Sequence, residues 1–348
     1  MVARATPLTL LLMRNTSLRL YRQGRTVLTQ AWQHPASQPV MRWALTLLAL
    51  GYIAWRLWHE SVWQTGWQLT WTEGAWLGVI GAVILLPLNL GLEVAKWRQL
   101  VRLVLPDFNW HQATSGVLLG AATGIFTPNR MGDYAGRLMC LPAEHHLLAA
   151  VYTFVSRIAQ MASTLVLGST ALLALSRQPG GLAWAGPHQD LLLSGTLLLT
   201  SGAAFAFAFP QVVLGVLRRL PWRKGLIGQA IQALTTLPPS LIRRIGALAL
   251  LRSAVFTTQY ALLLCGWLGA EHLVLACALV SLIFLLKSVV PSVALAELGL
   301  RESVALLVTG AVGWAASPVV VATFGLYVIN LIIPALLGLA CMSWLARR

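Results

Sequence analysis

Long apolar stretches separated by short polar connections dominate the chain from residue 41 onward. A helix that crosses the hydrocarbon core of a bilayer needs about 20 apolar residues. The stretches that reach this length are about 41–59, 74–95, 147–175, 190–213, 246–268 and 317–345. The pattern predicts an all-α fold, a polytopic transmembrane helical bundle with about six full spans.

Two further apolar runs are interrupted by proline, glycine and charged residues. The run 112–126 leads into the polar segment 127–137, and the run 273–290 leads into 291–302 before the chain becomes apolar again. Proline lacks a backbone donor and glycine permits sharp turns, so a helix should break in both places. We expect each run to form a re-entrant broken-helix hairpin, which enters and leaves the membrane on one side.

Basic residues mark alternate connections along the chain. They are frequent in the N-terminal arm, after the second span and in the connection 214–245, whereas 60–73 and 269–272 contain none. Basic connections favour the cytoplasmic side. Basic and non-basic connections alternate along the whole chain if 112–146 enters the membrane from the cytoplasm and 273–316 enters it from outside. Both termini then lie on the cytoplasmic side of a bacterial inner membrane. The order of span, hairpin and span then occurs twice in opposite orientations, which predicts an inverted repeat.

Composition and charge support a lipid environment. Of 348 residues, 57% are hydrophobic and 10% are charged, whereas soluble domains carry about 25% charged residues. The net charge is +15, but the basic residues lie between apolar runs rather than on one polar face. Anionic headgroups are therefore the expected partner, and nucleic acid is not. We expect residues 1–40 to form a basic cytoplasmic arm and residues 41–348 to form one transmembrane domain.

Charged residues within a membrane are costly and therefore indicate function. Glu93 and Lys96 lie three residues apart near the end of the second span, so they are neighbours on a helix. An open alternative is that Lys96 extends to the cytoplasmic headgroups. Arg157 and Gln160 lie within the third span, where we expect Arg157 to face Asp133, Glu93 or a bound anionic headgroup. A purely structural ion pair is the alternative.

A second group of candidate binding residues lies in the first broken segment: Asn129, Arg130, Asp133 and Arg137. Arginine presents forked donors that suit phosphate. Asp133 can pair with either arginine, which would lower the cost of burying it. The alternative is an ordinary cytoplasmic loop.

A third group of candidates flanks the second break: Lys287, Glu297, Arg301 and Glu302. Pro291 should end one helix, and Arg301 and Glu302 should lie at the N-terminus of the next, where anions are favoured. Glu297 and Arg301 are positioned to pair across the turn. A capped surface loop is the alternative.

The stretches 92–98, 126–137 and 291–302 resemble the membrane region of the lysylphosphatidylglycerol synthase/flippase family, whose members are also called flippase-like domain proteins. The resemblance covers roughly 74–345. It departs from the family pattern at Asp133, where Glu is expected, and at Ala296 and Glu297, where many members have glycines.

The resemblance implies a membrane domain that moves aminoacylated phosphatidylglycerol between leaflets. Full-length members of the family also carry a soluble aminoacyltransferase domain, and we expect this chain to correspond to the flippase portion without it. A lysyltransferase activity is therefore not expected.

No nucleotide-binding, zinc-protease or serine-hydrolase motif occurs in the sequence. We therefore expect a non-enzymatic protein without cofactor or metal, a flippase or transporter for an anionic or aminoacylated phospholipid or a lipid-linked intermediate. Its expected partners are membrane phospholipids, with a homodimer as a further possibility. One alternative is a non-catalytic membrane partner of a glycosyltransferase or lipid synthase. Another is an enzyme that acts on headgroups with Glu93 and Asp133 as acid and base.

Overall fold

The computed structural model describes residues 70–125, 127, 130–177, 187–219, 232–289 and 297–345. These residues form helices and no strand. The predicted basic arm 1–40 and the predicted first span 41–59 lie outside the described residues, as does Asn129.

The helices follow one another along the chain with short connections. The first are α1 (Glu73–Ile84), α2 (Leu86–Val101), α3 (Trp110–Gly124), α4 (Gly132–Leu138), α5 (His146–Ser176) and α6 (Gln189–Ala208). The remaining helices are α7 (Pro210–Arg219), α8 (Pro239–Leu268), α9 (Leu273–Val289), α10 (Glu297–Gly310), α11 (Ala316–Tyr327), a π-helical segment (Val328–Ile332) and α12 (Ile333–Leu345). Side-chain caps fix two starts: Thr72 accepts from the Ala75 amide (3.2 Å) before α1, and Asn109 forms a capping box with Gln112 before α3.

Several of these helices are long and apolar enough to cross a membrane. The described residues contain five such segments: Glu73–Val101, Ala143–Ser176, Pro239–Leu268, Ala270–Ser288 and Ala316–Cys341. The predicted span 190–213 is divided by a 93° turn between α6 and α7, and it counts as a sixth only if both helices form one span. The segment Ala270–Ser288 had been predicted as one arm of a hairpin, but it is itself long enough to span. The prediction of an all-α fold with several helices long and apolar enough to span a membrane is therefore confirmed.

Large apolar side chains cover much of the outer surface of the bundle. Leu77, Leu198 and Val274 are 68%, 76% and 84% exposed. Exposed apolar area on this scale is costly in water and is natural against lipid.

The first predicted break forms a tight helical hairpin. Helix α3 ends at Gly124 and α4 begins at Gly132, so the helix breaks where proline and glycine predicted it. A Cβ added to Gly132 would meet the Thr123 carbonyl, and one added to Gly136 would meet the Leu119 carbonyl. Gly132 thus faces Thr123, and the later residue Gly136 faces the earlier residue Leu119, so α3 and α4 run antiparallel. Glycine lets the two backbones approach closely, as in other small-residue helix pairs.

Each of the two consecutive helix pairs, α3–α4 and α9–α10, has residues from its two ends in one apolar cluster. Phe108, before α3, and Leu141, after α4, belong to one apolar cluster. Leu273, at the start of α9, and Trp314, after α10, belong to another, which also contains Cys265 near the end of α8. The start of α8 lies elsewhere, since Ile245 packs with Leu100, near the end of α2, and with Tyr152.

Replacement of Gly136 by alanine should loosen the α3–α4 hairpin. The new methyl group would meet the Leu119 carbonyl and the Thr123 hydroxyl, and overpacking of this kind costs about 1–3 kcal/mol. We expect a lower melting temperature for the purified protein in detergent, measured by tryptophan fluorescence. Gly91→Ala is the matched control, because nothing lies within 4 Å of its added Cβ. Equal melting temperatures for the two variants would contradict the hairpin packing.

Candidate functional site

A network of ion pairs connects α2, α4, α5 and α8. Arg137 donates to both carboxylates, from Nη2 to Oε1 of Glu93 (2.8 Å) and from Nε to Oδ1 of Asp133 (3.0 Å). Lys96 Nζ lies 2.8 Å from Oε2 of Glu93, and Arg252 Nε lies 3.5 Å from the same oxygen. Arg157 Nη2 donates to Oδ2 of Asp133 (2.7 Å). Both carboxylates are thus held by more than one basic group.

Helical spacing produces two of these five pairs. Glu93 and Lys96 lie one turn apart on α2, and Asp133 and Arg137 lie one turn apart on α4. Packing of the hairpin against α2 then brings Arg137 to Glu93. The Arg137 guanidinium also lies over the Trp97 ring, 5.6 Å from its centroid, in a cation–π arrangement.

Gln160 bonds to two basic residues, Lys96 on α2 and Arg252 on α8. Its carbonyl oxygen accepts from Nζ of Lys96 (3.0 Å) and from Nη1 of Arg252 (3.0 Å). Its amide nitrogen donates to Oγ of Ser253 (2.5 Å). One neutral side chain thereby separates two cations, Lys96 and Arg252, that would otherwise repel each other.

Arg130 has a backbone conformation that residues other than glycine rarely adopt. Its φ is +55°, in the left-handed region that disfavours residues with a Cβ. The Thr127 hydroxyl accepts from the Gly132 amide (2.6 Å), and Arg157 Nη2 donates to the Arg130 carbonyl (3.4 Å). Strained backbone held in this way is common at functional sites.

The charged groups surround a cavity of about 390 Å³. Among the described residues that line it, two are acidic, Glu93 and Asp133, and six are basic: Lys96, Arg130, Arg137, Arg157, Arg252 and Lys287. Buried donors without a hydrogen-bond partner occur on several lining residues, and they include Nη1 of Arg137, Nε of Arg157, Oγ of Ser156 and Nδ2 of Asn330. The cavity reaches the outside of the bundle beside α5, where the lining residue Met161 is 54% exposed.

The cavity unites the first two predicted groups of candidates and part of the third. Its lining includes Glu93, Lys96, Arg130, Asp133, Arg137, Arg157, Gln160 and Lys287, all of which were predicted from the sequence. Arg157 faces Asp133 as expected.

Two of the alternatives left open by the sequence are decided by burial. Lys96 is fully buried and pairs with Glu93, so the alternative in which it extends to surface headgroups is wrong. Asp133 and Arg137 are also buried, which excludes an ordinary solvated loop for these two residues.

The remaining predicted residues lie apart from this cavity or outside the described residues. Arg301 and Glu302 are not among the lining residues, and both lie within electrostatic range of Tyr260 on α8. They begin one turn into α10 rather than in its first turn, because α10 already starts at Glu297. The side chain of Glu297 lies outside the described residues, so its predicted pairing with Arg301 stays a prediction.

Sequence reasoning missed Arg252. It lies within the apolar segment 246–268, and the rule that selected Arg157, a charge inside a predicted span, would have selected it too.

A group of amide side chains was also missed. Asn89 Nδ2 donates to Oε1 of Gln259 (3.1 Å) and to Oδ1 of Asn330 (2.5 Å), and Gln259 Nε2 donates to the Ala82 carbonyl (2.8 Å). Asn330 lies in the π-helical segment and lines the cavity. Such π-segments are frequent at functional sites, but no residue pattern in the sequence predicted this one.

Comparisons with protein-family models, with curated proteins and with solved structures found no match for this chain. Among the described residues, no group of three or more histidine, cysteine, aspartate or glutamate side chains could hold a metal ion. A cavity with more cations than anions is suited to an anionic ligand.

Replacement of Glu93 by glutamine should destabilise the protein strongly. Lys96, Arg137 and Arg252 would lose the carboxylate they share, and breaking a buried ion pair costs about 3–5 kcal/mol. We expect a lower melting temperature in detergent. Glu144→Gln is the control, because the Glu144 side chain is 77% exposed.

A second substitution separates the charge effect from a packing effect. Adding Lys96→Met to Glu93→Gln removes one of the unneutralised cations and should restore part of the lost stability. A double variant less stable than Glu93→Gln alone would contradict the electrostatic explanation.

Proposed function

We propose that this chain moves lipids with anionic phosphate headgroups, phospholipids or lipid-linked intermediates, between the leaflets of a membrane. The observation that supports this most strongly is the cavity enriched in basic side chains within a bundle of apolar, membrane-length helices. Charges at such positions are expensive unless a ligand uses them.

The opening beside α5 suits such a ligand. Met161 and Arg157 both line the cavity, and the Arg157 side chain is 35% exposed. A phosphate can bind to the forked donors of Arg157 while the acyl chains stay against the apolar surface outside. The headgroup then travels through protein, and the hydrocarbon travels through lipid.

The polar groups continue from the cavity along α8. Arg252 is followed two turns later by Gln259 and Tyr260, and Gln259 belongs to the amide group with Asn89 and Asn330. Tyr260 bonds to Thr323 and lies within electrostatic range of Arg301. At 1.5 Å rise per residue, Tyr260 lies about 12 Å along the helix from Arg252. In this proposal, the headgroup crosses the bundle along this series of polar side chains.

In the same proposal, the two helical hairpins are re-entrant and form an inverted repeat. The ends of α3–α4 and of α9–α10 pack near opposite ends of α8, which is consistent with one hairpin entering from each side. Helix α4 has 7 residues, about 10 Å, so it is too short to cross the hydrocarbon core. Paired broken segments of this kind are a design of transporters.

The carboxylates fit a transport role better than acid–base catalysis. Each of them accepts from at least two basic groups. These bonds engage both oxygens of each carboxylate, so a role in acid–base catalysis would require one of the ion pairs to break first. Transport by this mechanism would be passive or coupled to an ion.

A leaflet-exchange assay in liposomes tests the proposed function. The wild-type protein should speed the exchange of a fluorescent phosphatidylglycerol, and the double variant Arg130→Gly, Arg157→Gln should lower the rate at least tenfold. Glycine at position 130 keeps the left-handed turn while it removes the guanidinium. Arg177→Gln, an exposed arginine at the end of α5, should leave the rate unchanged. Equal rates for the double variant and the wild type would refute the proposal, provided that both melt at similar temperatures.

Single cysteines introduced at the ends of the first hairpin test the re-entrant topology. In a background without the native cysteines, Asp107→Cys and Glu144→Cys, both at exposed positions, should react with a membrane-impermeant maleimide from the same side. We expect this side to be the cytoplasmic one, so labelling should occur in inside-out vesicles and not in intact cells. Labelling from opposite sides would mean that the segment crosses the membrane.

A further inference from the structure

The charge balance of the cavity restricts which headgroup it can accept. Six basic and two acidic side chains line it among the described residues, so this part of the lining has more positive than negative charge. A site of this composition attracts anions. A ligand with a single negative charge would neutralise only a fraction of this excess.

The two carboxylates are already engaged by the protein. Glu93 contacts Lys96, Arg137 and Arg252, and Asp133 contacts Arg137 and Arg157. An ammonium group brought in by an aminoacylated headgroup would have to displace one of these bonds. It would also add a positive charge to a site that already has too many, and repulsion of this kind is how proteins reject a wrong ligand.

Several buried hydrogen-bond donors on the cavity lining have no hydrogen-bond partner. Nη1 of Arg137, on a side chain that is 6% exposed, has no hydrogen-bond partner, and neither does Oγ of Ser156 in a residue that is 1% exposed. Buried donors are normally bonded, so these atoms point to a ligand that brings several acceptor oxygens. The volume of about 390 Å³ lies within the range of small-molecule sites.

We propose that the cavity binds a lipid headgroup with two or more negative charges, a phosphomonoester or a diphosphate, and discriminates against aminoacylated headgroups. Arg157 and Arg252 bind the phosphate oxygens from α5 and α8, and Lys287 binds them from α9. The amide of Asn330 borders the same space and is available to a hydroxyl group next to the phosphate. This inference rests on the proposed function, since it names the substrate class of the same site.

Binding of lipids with matched chains tests the headgroup charge. Dissociation constants are measured by native mass spectrometry of the full chain for a prenyl diphosphate, and for dioleoyl forms of phosphatidic acid, phosphatidylglycerol and lysyl-phosphatidylglycerol. We expect phosphatidic acid to bind at least tenfold more tightly than phosphatidylglycerol, and lysyl-phosphatidylglycerol to bind most weakly. Binding of the lysyl lipid as tight as that of phosphatidic acid would overturn the inference.

Inorganic pyrophosphate separates a lipid ligand from a free anion. We expect it to compete with the prenyl diphosphate only at concentrations at least tenfold higher than those of a competing lipid. Competition at equal concentrations would mean that the site takes a soluble diphosphate, and would overturn the lipid assignment.

Variants on the cavity identify the groups responsible. Arg252→Gln and Lys287→Gln should each reduce the preference for phosphatidic acid over phosphatidylglycerol severalfold, and Arg177→Gln should not. Lys287→Gln serves where Arg252→Gln fails to fold, because Lys287 lies on α9, outside the four helices that the ion pairs described above connect. An unchanged preference in a folded Lys287→Gln protein would overturn the inference. A protein that flips every lipid at the same rate would refute only this selectivity, whereas one that binds selectively and flips none would refute only the proposed function.

Discussion

Two buried carboxylates, Glu93 and Asp133, share a single arginine, and the polar interior of this bundle depends on that arrangement. Arg137 bonds to both acids while its own side chain is almost fully buried. None of the three charges is tolerable alone in an apolar surround, because the loss of hydration exceeds what any one neighbour returns. Together with Lys96, Arg157 and Arg252, each charge becomes the counter-charge of another, so α2, α4, α5 and α8 must meet at this point.

Close packing of two backbones allows these four helices to meet. Gly132 and Gly136 have no side chain, so α4 lies directly against the carbonyl groups of α3. Arg137 on α4 can then reach Glu93 on α2. The left-handed residue Arg130 completes the turn. The α3–α4 hairpin therefore holds Asp133 and Arg137 in the ion-pair network and also forms one wall of the cavity. Its turn at Arg130 borders the space that the proposed ligand would occupy.

The network neutralises the acids completely but leaves the bases in excess. Among the described residues of the cavity lining, six are basic and two are acidic, and this asymmetry connects the fold to the proposed lipid transport. The surplus of arginine and lysine around the cavity, with buried donors that have no partner, favours a ligand with several negative charges. The amide group of Asn89, Gln259 and Asn330 provides neutral bonding groups deeper in the bundle, where a second cluster of charges would be harder to bury.

Apolar length and broken helices could be predicted from the sequence, because both are local properties: about 20 apolar residues make a span, and Pro128 with Gly132 end a helix wherever they lie. The same rule singled out Glu93, Asp133, Arg137 and Arg157, since charges are rare in such segments. Which of them meet could not be predicted, because contacts between α2, α4, α5 and α8 depend on how distant segments pack. Only the tertiary structure placed Arg252 and Lys287 at the cavity and left Arg301 apart from it, because the packing of distant helices decides which charged residues face the same space.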